Sequence, residues 1–540
     1  MSYKILTLIF SSLLLGIQGY TQTSLSKQID SALSDIVKAD EPGFSIGVVK
    51  NGKFIYSKGY GLADLETKRR NEPETPFNIA SNSKQITAAC IYLLEEQGKL
   101  KTSDKLSKYF KGWPKYADSI TINQLLHHKS GLMDFSTLRA LMRIGDFKKD
   151  KTNYQLLLAQ KQLNFTPGKE YSYTNSGYFL LSLVIRKLSG QDLSVYANQK
   201  IFQPLHMNNT GFSRSHQVKE KANGYIFNNN KYIKNNATDT TIGQSNVYST
   251  IIDWNKWLLE MKNHKVLGDM IWAKMLSPAD TINKYGGGLV ISKRNNKVVI
   301  SHGGDIDGYH SNFYYFPEDT LGFIIFSNKG DVSINDIFKR SYGVFYKETP
   351  KIEKKAEQNF EAKKINIPYD TLHYVGSYRL KSGVVLTISN KNNLLRAEQL
   401  WDGSSYNLFM DSSHKFHEPA DTSITFEFKA LDKGLTQNLE IFQDGEVTVW
   451  KRLSLSSNLN EYSGKFFNSQ LGTTYNFILK DNALIFSSNK EPVKLQQIDI
   501  DHFDCDYGTI DFTRNKNNII DGLTFHHIRV RKLKFVKVER

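Results

Sequence analysis

Two cysteines in 540 residues exclude a scaffold built on disulfides. Cys90 follows Ser81 on a helical pattern and turns toward the core, and Cys505 lies in a stretch of different texture, so both are expected to be free. After the first residues, no run is long and apolar enough to cross a membrane as a helix. A formal charge of +16 invites an anionic partner, but no basic stripe alternates with aromatics and no nucleic-acid motif is present. The lysines are scattered among asparagines, as on a solvated surface. The one early apolar run, residues 5–15, follows Lys4 and precedes Gly19-Tyr20-Thr21, the order of a secretory leader over residues 1–21. An uncleaved anchor is the alternative, though the run is short for a span. No cysteine follows it, so a lipid anchor is not indicated. The expected location is periplasmic or secreted.

What is present is an ordinary globular composition, in a chain too long for a single core, so two or three domains are expected. Within it, Ser81-Asn-Ser-Lys84 stands out. A serine and a lysine three apart share one helix face, and a basic neighbour is one way to activate a poorly nucleophilic hydroxyl. The spacing alone is weak, because it recurs from Ser24, Ser412 and Ser487. Ser81 differs in its surroundings. Ile86, Ala89, Cys90, Leu93 and Leu94 form the stripe of a buried amphipathic helix, and Gly98 stops it. Upstream, residues 44–49 and 54–56 read as two strands around Lys50-Asn51-Gly52.

Residues 22–346 alternate helical and strand patterns. Leu25, Ile29, Leu33 and Ile36 mark an opening helix, and Thr250-Ile-Ile-Asp253 fits a capping box. Strands are expected at 289–292 and 298–301, joined by Asn295-Asn296, and then at 313–316 and 321–327. A last helix runs from Ile334 to about Tyr346. A Lys- and Glu-rich stretch over 347–370 reads as a linker. Beyond it come short alternating strands with Asn, Asp and Gly turns, and no good helix. The motif Tyr374-Val-Gly376-Ser-Tyr378 returns as Tyr462-Ser-Gly464-Lys-Phe466, and Glu446–Arg452 matches 531–537. The repeat predicts two small all-β antiparallel barrels, over 371–455 and 456–540; one larger shared barrel is the alternative.

The Ser81 motif acquires partners in chain order. Tyr173-Thr174-Asn175 lies on a loop entering a helical pattern, and His302-Gly303-Gly304-Asp305 ends the strand pattern Val298-Val-Ile-Ser. With these three elements the chain resembles the serine β-lactamase and penicillin-recognising hydrolase family, in its class C-like branch of D-aminopeptidases, DD-peptidases and esterases. That family carries S-x-x-K, Y-x-N and K-T-G or H-x-G in this order. Leu125-Leu-His127-His128-Lys129-Ser130-Gly131-Leu132, residues 247–253 and Tyr285-Gly-Gly-Gly288 are similar to its secondary motifs, and the likeness runs over residues 40–330.

The resemblance implies an α/β (α+β) hydrolase domain over 22–346, with an antiparallel sheet, flanking helices and a helical subdomain. It implies Ser81 as the acylated nucleophile, with Lys84 and Tyr173 sharing the proton transfers. Asn175, His302, Gly303, Gly304 and Asp305 would bind substrate, the backbone N–H groups of Ser81 and Asp305 forming an oxyanion hole. No cofactor and no metal are expected. Histidine at position 302 departs from the lysine of the β-lactamases proper and follows the aminopeptidase and esterase branch. Lys129-Ser130-Gly131 and Lys381-Ser382-Gly383 imitate the third motif in the wrong places. Adjacent His127 and His128 point apart and read as loop braces rather than a metal pair. The implied function is hydrolysis of a peptide or amide bond, D-aminopeptidase or DD-peptidase-like, possible substrates being small and cell-wall derived. A carboxylesterase or weak β-lactamase is the alternative, and a non-catalytic ligand-binding protein is another.

Overall fold

The computed structural model describes residues 24–538 except 148–150, 214–217, 239, 347–372 and short tail stretches at 381–383, 392–393, 400–404, 413, 419–420, 433–434, 444, 454–457 and 488–491. The expected leader, the expected linker and the Lys381 triplet lie outside the described residues. Two compact units result: Met1–Ser136 with Asn153–Glu348, and Thr137–Thr152 with Thr349–Arg540.

The first unit is organised by a six-stranded antiparallel sheet. Its strands are β1 (Phe44–Lys50), β2 (Lys53–Tyr60), β3 (Val290–Arg294), β4 (Lys297–Ile306), β5 (Tyr309–Phe316) and β6 (Leu321–Ser327), in the order β3-β4-β5-β6-β1-β2. Both tight hairpins form where the sequence asks for them. Asn51 and Gly52 take φ of 53° and 78°, and Asn295 and Asn296 take 48° and 62°, the left-handed pair that a two-residue loop requires. Side chains alternate across the sheet, and the central strands are apolar on both faces. Phe44, Ile46, Val48, Phe323 and Ile325 pack with Ile29 and Leu33 of the opening helix and with Ile337, Phe338 and Tyr342 of the Ile334–Gly343 helix. Ile324 and Phe326 face the other way, toward Ile86, Ala89, Leu93, Trp254 and Trp257. The Ser83–Glu96 helix is thus buried along nearly its whole length, and Gly98 follows its end at φ 70°. At Thr250 only half of the capping box forms: the threonine accepts from Asp253 N, while the Asp253 carboxylate turns to Asn209 N, Thr210 and Lys256.

In the second unit, eight strands from Gly376–Leu380 to Glu446–Arg452 close a barrel by pairing the first strand with the last. The second copy curls from Gly464–Asn468 to Val530–Val538 into a nearly closed barrel; among the described residues its path ends at Val493–Lys494 on one side and Gln496–Asp499 on the other. The sequence repeat is a structural one. A Cβ on Gly376 would meet Arg452 at 2.8 Å, and one on Gly464 would meet Lys537 at 2.8 Å. Each cation lies 5.6 Å from the ring two residues on, Tyr378 or Phe466. The glycine in each copy leaves room for the closing strand's cation to cover that aromatic.

One segment departs from the expected layout. Residues 137–152 were expected inside a continuous hydrolase domain, yet they group with the tail. Asp146–Phe147 adds a strand to Thr473–Lys480, and Thr473 Oγ1 and Tyr475 Oη donate to the carbonyls of Met142 and Leu141. Those carbonyls are near the end of the Phe135–Ile144 helix, where they lack partners within the helix. An apolar helical stripe such as Leu138, Leu141 and Met142 says that a face is buried, not against what.

Candidate active site

Ser81 sits in a 3-10 turn, Ala80–Asn82, that runs straight into the Ser83–Glu96 helix, so the α-helix begins two residues after Ser81 rather than at it. Ala80 holds φ 47°, a left-handed conformation that costs a non-glycine residue roughly 1–2 kcal/mol. A local network over-determines it. Asn78 Oδ1 accepts from Ala80 N at 3.0 Å, Ser83 Oγ donates to Ala80 O at 2.6 Å, and Val247 N donates to Ser83 Oγ at 3.0 Å. Beneath the turn, Asn82 Nδ2 donates to Ser311 Oγ at 2.9 Å, which donates to Ile79 O. The strain is confined to the residue before the nucleophile candidate.

Lys84 is fully buried, one turn further on. Its Nζ lies 2.9 Å from Asn175 Oδ1, 2.8 Å from the Gln244 carbonyl and 3.0 Å from Ser81 Oγ. The first two partners only accept, so they consume two N–H groups. The third contact reaches Ser81 Oγ, a hydroxyl that can donate as well as accept, and so joins Lys84 to the nucleophile candidate. A buried cation needs this degree of satisfaction. The ring of Tyr173 adds to it, with Nζ 4.8 Å from the ring centroid.

Tyr173 and Asn175 arrive on the loop that opens the Asn175–Ser189 helix. Thr174 is its N-cap, accepting from Ser176 N, and Gly190 closes it at φ 74°. Two side chains pin the loop. Asp134 Oδ2 accepts from Asn175 N at 2.6 Å, and His128 Nδ1 accepts from Thr174 N at 3.2 Å. His128 is completely buried, with its ring 4.2 Å from that of Tyr173. His127 bonds the Asn123 carbonyl, and burial lowers its pKa. Of the two, His128 bonds the Tyr173–Asn175 loop, while His127 turns to a carbonyl of the Ile122–Leu126 helix.

The third element is the end of β4. Its ladder with β3 stops at Val290–Ser301, so His302–Ile306 has β5 on one side and no ladder strand on the other among the described residues. Such a strand end can pair with an extended substrate. A Cβ on Gly304 would stand 2.5 Å from Ile79 O and 2.8 Å from Ser81 N, so glycine alone lets β4 approach the nucleophile turn. Gly303 has room around it. His302 is buried, its Nδ1 2.6 Å from Gly303 O and its Nε2 2.9 Å from Tyr285 Oη. Burial, reinforced by the Lys84 charge, drives its pKa down to about 3. Burial likewise pushes the Tyr285 phenol far up. At the exposed end, Asp305 pairs with His310 at 2.5 Å and raises that imidazole's pKa; its other nitrogen faces Gly330 O at 2.9 Å. One strand pair thus carries a buried histidine whose pKa is driven down and an outer one whose pKa is raised.

All eight residues singled out in the sequence lie on these three converging elements. Lys129 does not join them but pairs with Asp280 at 3.3 Å. Among the described residues, no cluster of His, Cys, Asp and Glu could hold a metal ion. Three contributors escaped sequence reasoning. Gln244 offers a backbone carbonyl, which no side-chain pattern reveals. Asp134 follows the Ser130-Gly131-Leu132 motif by two residues and would have been found by asking what caps the Asn175 helix. Tyr285 was noticed only as part of a glycine-rich motif.

The chain is similar to known proteins in sequence and in fold. The model of the Beta-lactamase family matches residues 29–336. Protein flp of Staphylococcus aureus strain N315 is 29% identical over 325 residues, 56% of this chain and 63% of that protein. The putative penicillin-binding protein PbpX of Bacillus subtilis is 29% identical over 257 residues, 47% of this chain and 63% of that protein. The chain therefore spans less than two thirds of these relatives. Among solved structures, the octameric penicillin-binding protein homologue from Pyrococcus abyssi superposes with a TM-score of 0.55 at 20% identity, over 87% of this chain and 99% of that one. A D-amino acid amidase from Ochrobactrum anthropi SV3, complexed with L-phenylalanine, gives 0.50 at 22% identity, over 60% and 98%. At these identities the likeness is one of fold.

Proposed function

The chain belongs to the Beta-lactamase family, and from that premise we propose that it is an active serine hydrolase that cleaves peptide or amide bonds through an acyl-enzyme on Ser81. The observation that carries this reading is the buried Lys84 ammonium, with two acceptor-only partners and a third bond to Ser81 Oγ. In the acylation step the Ser81 oxygen attacks the scissile carbonyl as its proton moves to the unprotonated member of the Lys84–Tyr173 pair, the Tyr173 phenolate beside the Lys84 ammonium or the Lys84 free amine. The tetrahedral oxyanion is met by backbone N–H groups of Ser81 and Asp305, a contact worth about 3–4 kcal/mol per donor in comparable sites. Collapse breaks the C–N bond, and the same unit returns the proton to the leaving amine. Water, deprotonated by that unit, then attacks the ester and releases the acid and Ser81.

The finer reading is a D-aminopeptidase or DD-peptidase-like enzyme, periplasmic or secreted, acting on small cell-wall-type peptides. The histidine at 302 supports it, as does the fold shared with an amidase for D-amino acids and with penicillin-binding protein homologues. The test is a panel of D-aminoacyl and L-aminoacyl p-nitroanilides, a p-nitrophenyl ester and a penicillin. Turnover of the D-anilide above its L counterpart is expected. Turnover of the ester alone would make the protein a carboxylesterase, and no turnover or labelling with any of them would make it a binding protein.

A further inference from the structure

His310 faces two groups that can only accept. Its Nδ1 lies 2.5 Å from Asp305 Oδ1, directly across the β4–β5 ladder, and its Nε2 lies 2.9 Å from the Gly330 carbonyl, on the chain leaving β6. A neutral imidazole has one N–H, so both contacts are hydrogen bonds only when both nitrogens carry protons. The bond to Asp305 raises the imidazole's pKa more than burial lowers it, and the charge of Asp331, beyond β6, adds to the rise. Lys329, next to Gly330 in the chain, turns its ammonium to Glu41 and Asp331 at 3.0 and 3.2 Å. The placement of Asp305 matters as much. Past Ser301, β4 has β5 alone beside it among the described residues, and Asp305 stands just before the Asp307-Gly308 loop. The pair flanking a two-residue loop, Ile306 and Tyr309, exchanges ladder hydrogen bonds, so by alternation Asp305 and His310 do not. The Asp305 N–H is therefore directed away from β5. Its neighbour Gly304 turns toward the Ser81 turn, where a Cβ would stand 2.8 Å from Ser81 N. The Asp305 carboxylate leaves on the other face, exposed, and meets His310 there.

Building on the serine-hydrolase reading, we infer that His310 is a positioning residue: as the imidazolium it ties the Asp305 side chain to the Gly330 carbonyl and so holds the Asp305 N–H in line with the developing oxyanion. Its ring acts through Asp305 and not on the substrate. When the ring loses a proton, one of the two bonds goes. The end of β4 then keeps only its ladder with β5, and the oxyanion donor is less well fixed. The sign of the pH dependence follows. The folded pKa lies above the ordinary 6.5, so the tie is complete below 6.5 and is lost as pH rises through the raised value. Because the Asp305 carboxylate is exposed, solvent screens the pair and the effect is modest.

The test is the pH profile of kcat/KM for p-nitrophenyl acetate in the full chain, the parent against His310→Leu and Asp305→Asn. The ratio of parent to His310→Leu is expected to be about two- to fivefold at acid pH, the scale of an exposed charge-assisted pair, and to fall toward one as the imidazole deprotonates. A histidine that served the fold alone would give a ratio independent of pH. That result, or a ratio of one throughout, overturns the inference. Should His310→Leu not fold, Asp305→Asn changes only an exposed side chain and keeps the backbone N–H. Without the carboxylate the imidazole gives up its proton sooner, so the alkaline step of the profile should move to lower pH than in the parent. A step that stays in place, or a parent profile with no such step, overturns the inference as well. If the ester does not acylate Ser81 in the parent chain, the hydrolase reading falls and takes the inference with it. If the ester acylates normally and the ratio is flat, the inference alone is lost.

Discussion

Within one turn and a half of helix, the interior beside Ser81 buries Asn82, Ser83, Lys84, Gln85 and Thr87, whereas the barrel from Gly376 to Arg452 fills its centre with Tyr378, Leu386, Ile388, Leu395, Leu408, Phe416, Phe426 and Leu439. Among the described residues of that barrel, Thr436 is the buried polar side chain. Apolar burial at roughly 25 cal/mol per Å² stabilises a small barrel without further justification. The polar interior is different, because each group there needs a partner or costs about 1–3 kcal/mol. It has them: Gln85 Nε2 bonds Asn82 Oδ1, Gln85 Oε1 receives the Trp257 indole, and Thr87 bonds Gly243 O. A fold that carries such a network beside a strained turn holds reactive groups in one geometry; the barrel's interior only holds itself together.

The comparison is most sharply tested at Ser81. Ser81→Ala should reduce turnover by a factor on the order of 10⁵ or more, with little change in melting temperature, because the hydroxyl serves chemistry and not the fold. Residual turnover within tenfold of the parent would remove Ser81 from its role. Next in size, Lys84→Ala and Tyr173→Phe should each cost about 10³-fold or more, and the double variant little beyond the worse single one, as for groups acting as a unit. Losses that multiply would show independent roles.

Acid stability comes third. His302 has a folded pKa of about 3, below the unfolded value near 6.5, so the unfolded chain takes up the proton first. The stability tied to the neutral ring is complete above pH 6.5 and drains as pH falls toward 3, on the order of 3 kcal/mol by pH 4.5. Urea melts of the parent should weaken over that interval more steeply than those of His302→Gln; equal slopes would contradict a neutral buried histidine. The smallest effect belongs to the barrel. Phe428→Leu, in the aromatic cluster with Tyr374, Tyr378 and Phe416, should cost that barrel about 1 kcal/mol and leave Ser81 acylation unchanged. A slower acylation would tie the barrel's packing to the chemistry.

Much of the site was legible because its chemistry is local in sequence. Ser81 and Lys84 share a helix face, Tyr173 and Asn175 share a loop, and His302 to Asp305 share a strand end. The hairpins at Asn51-Gly52 and Asn295-Asn296 were legible for a similar reason, since two left-handed residues in succession demand such types. What escaped depends on partners far along the chain. The side chains of Leu141 and Met142 announce burial, but only Thr473 and Tyr475 reveal that residues 137–152 belong with the tail. The Gln244 carbonyl under Lys84 has no sequence signature. Nor does the lowered pKa of His302, which is set by burial and by the Lys84 charge rather than by the histidine itself.

The central claim is that Ser81 is the atom-bearing nucleophile of an acyl-transfer site. The most direct measurement is mass spectrometry of the intact chain after treatment with a fluorophosphonate, followed by mapping of the labelled peptide. One adduct per chain is expected, on the peptide containing Ser81, and none in Ser81→Ala. An adduct on any other residue, or one that persists in the variant, would contradict the account.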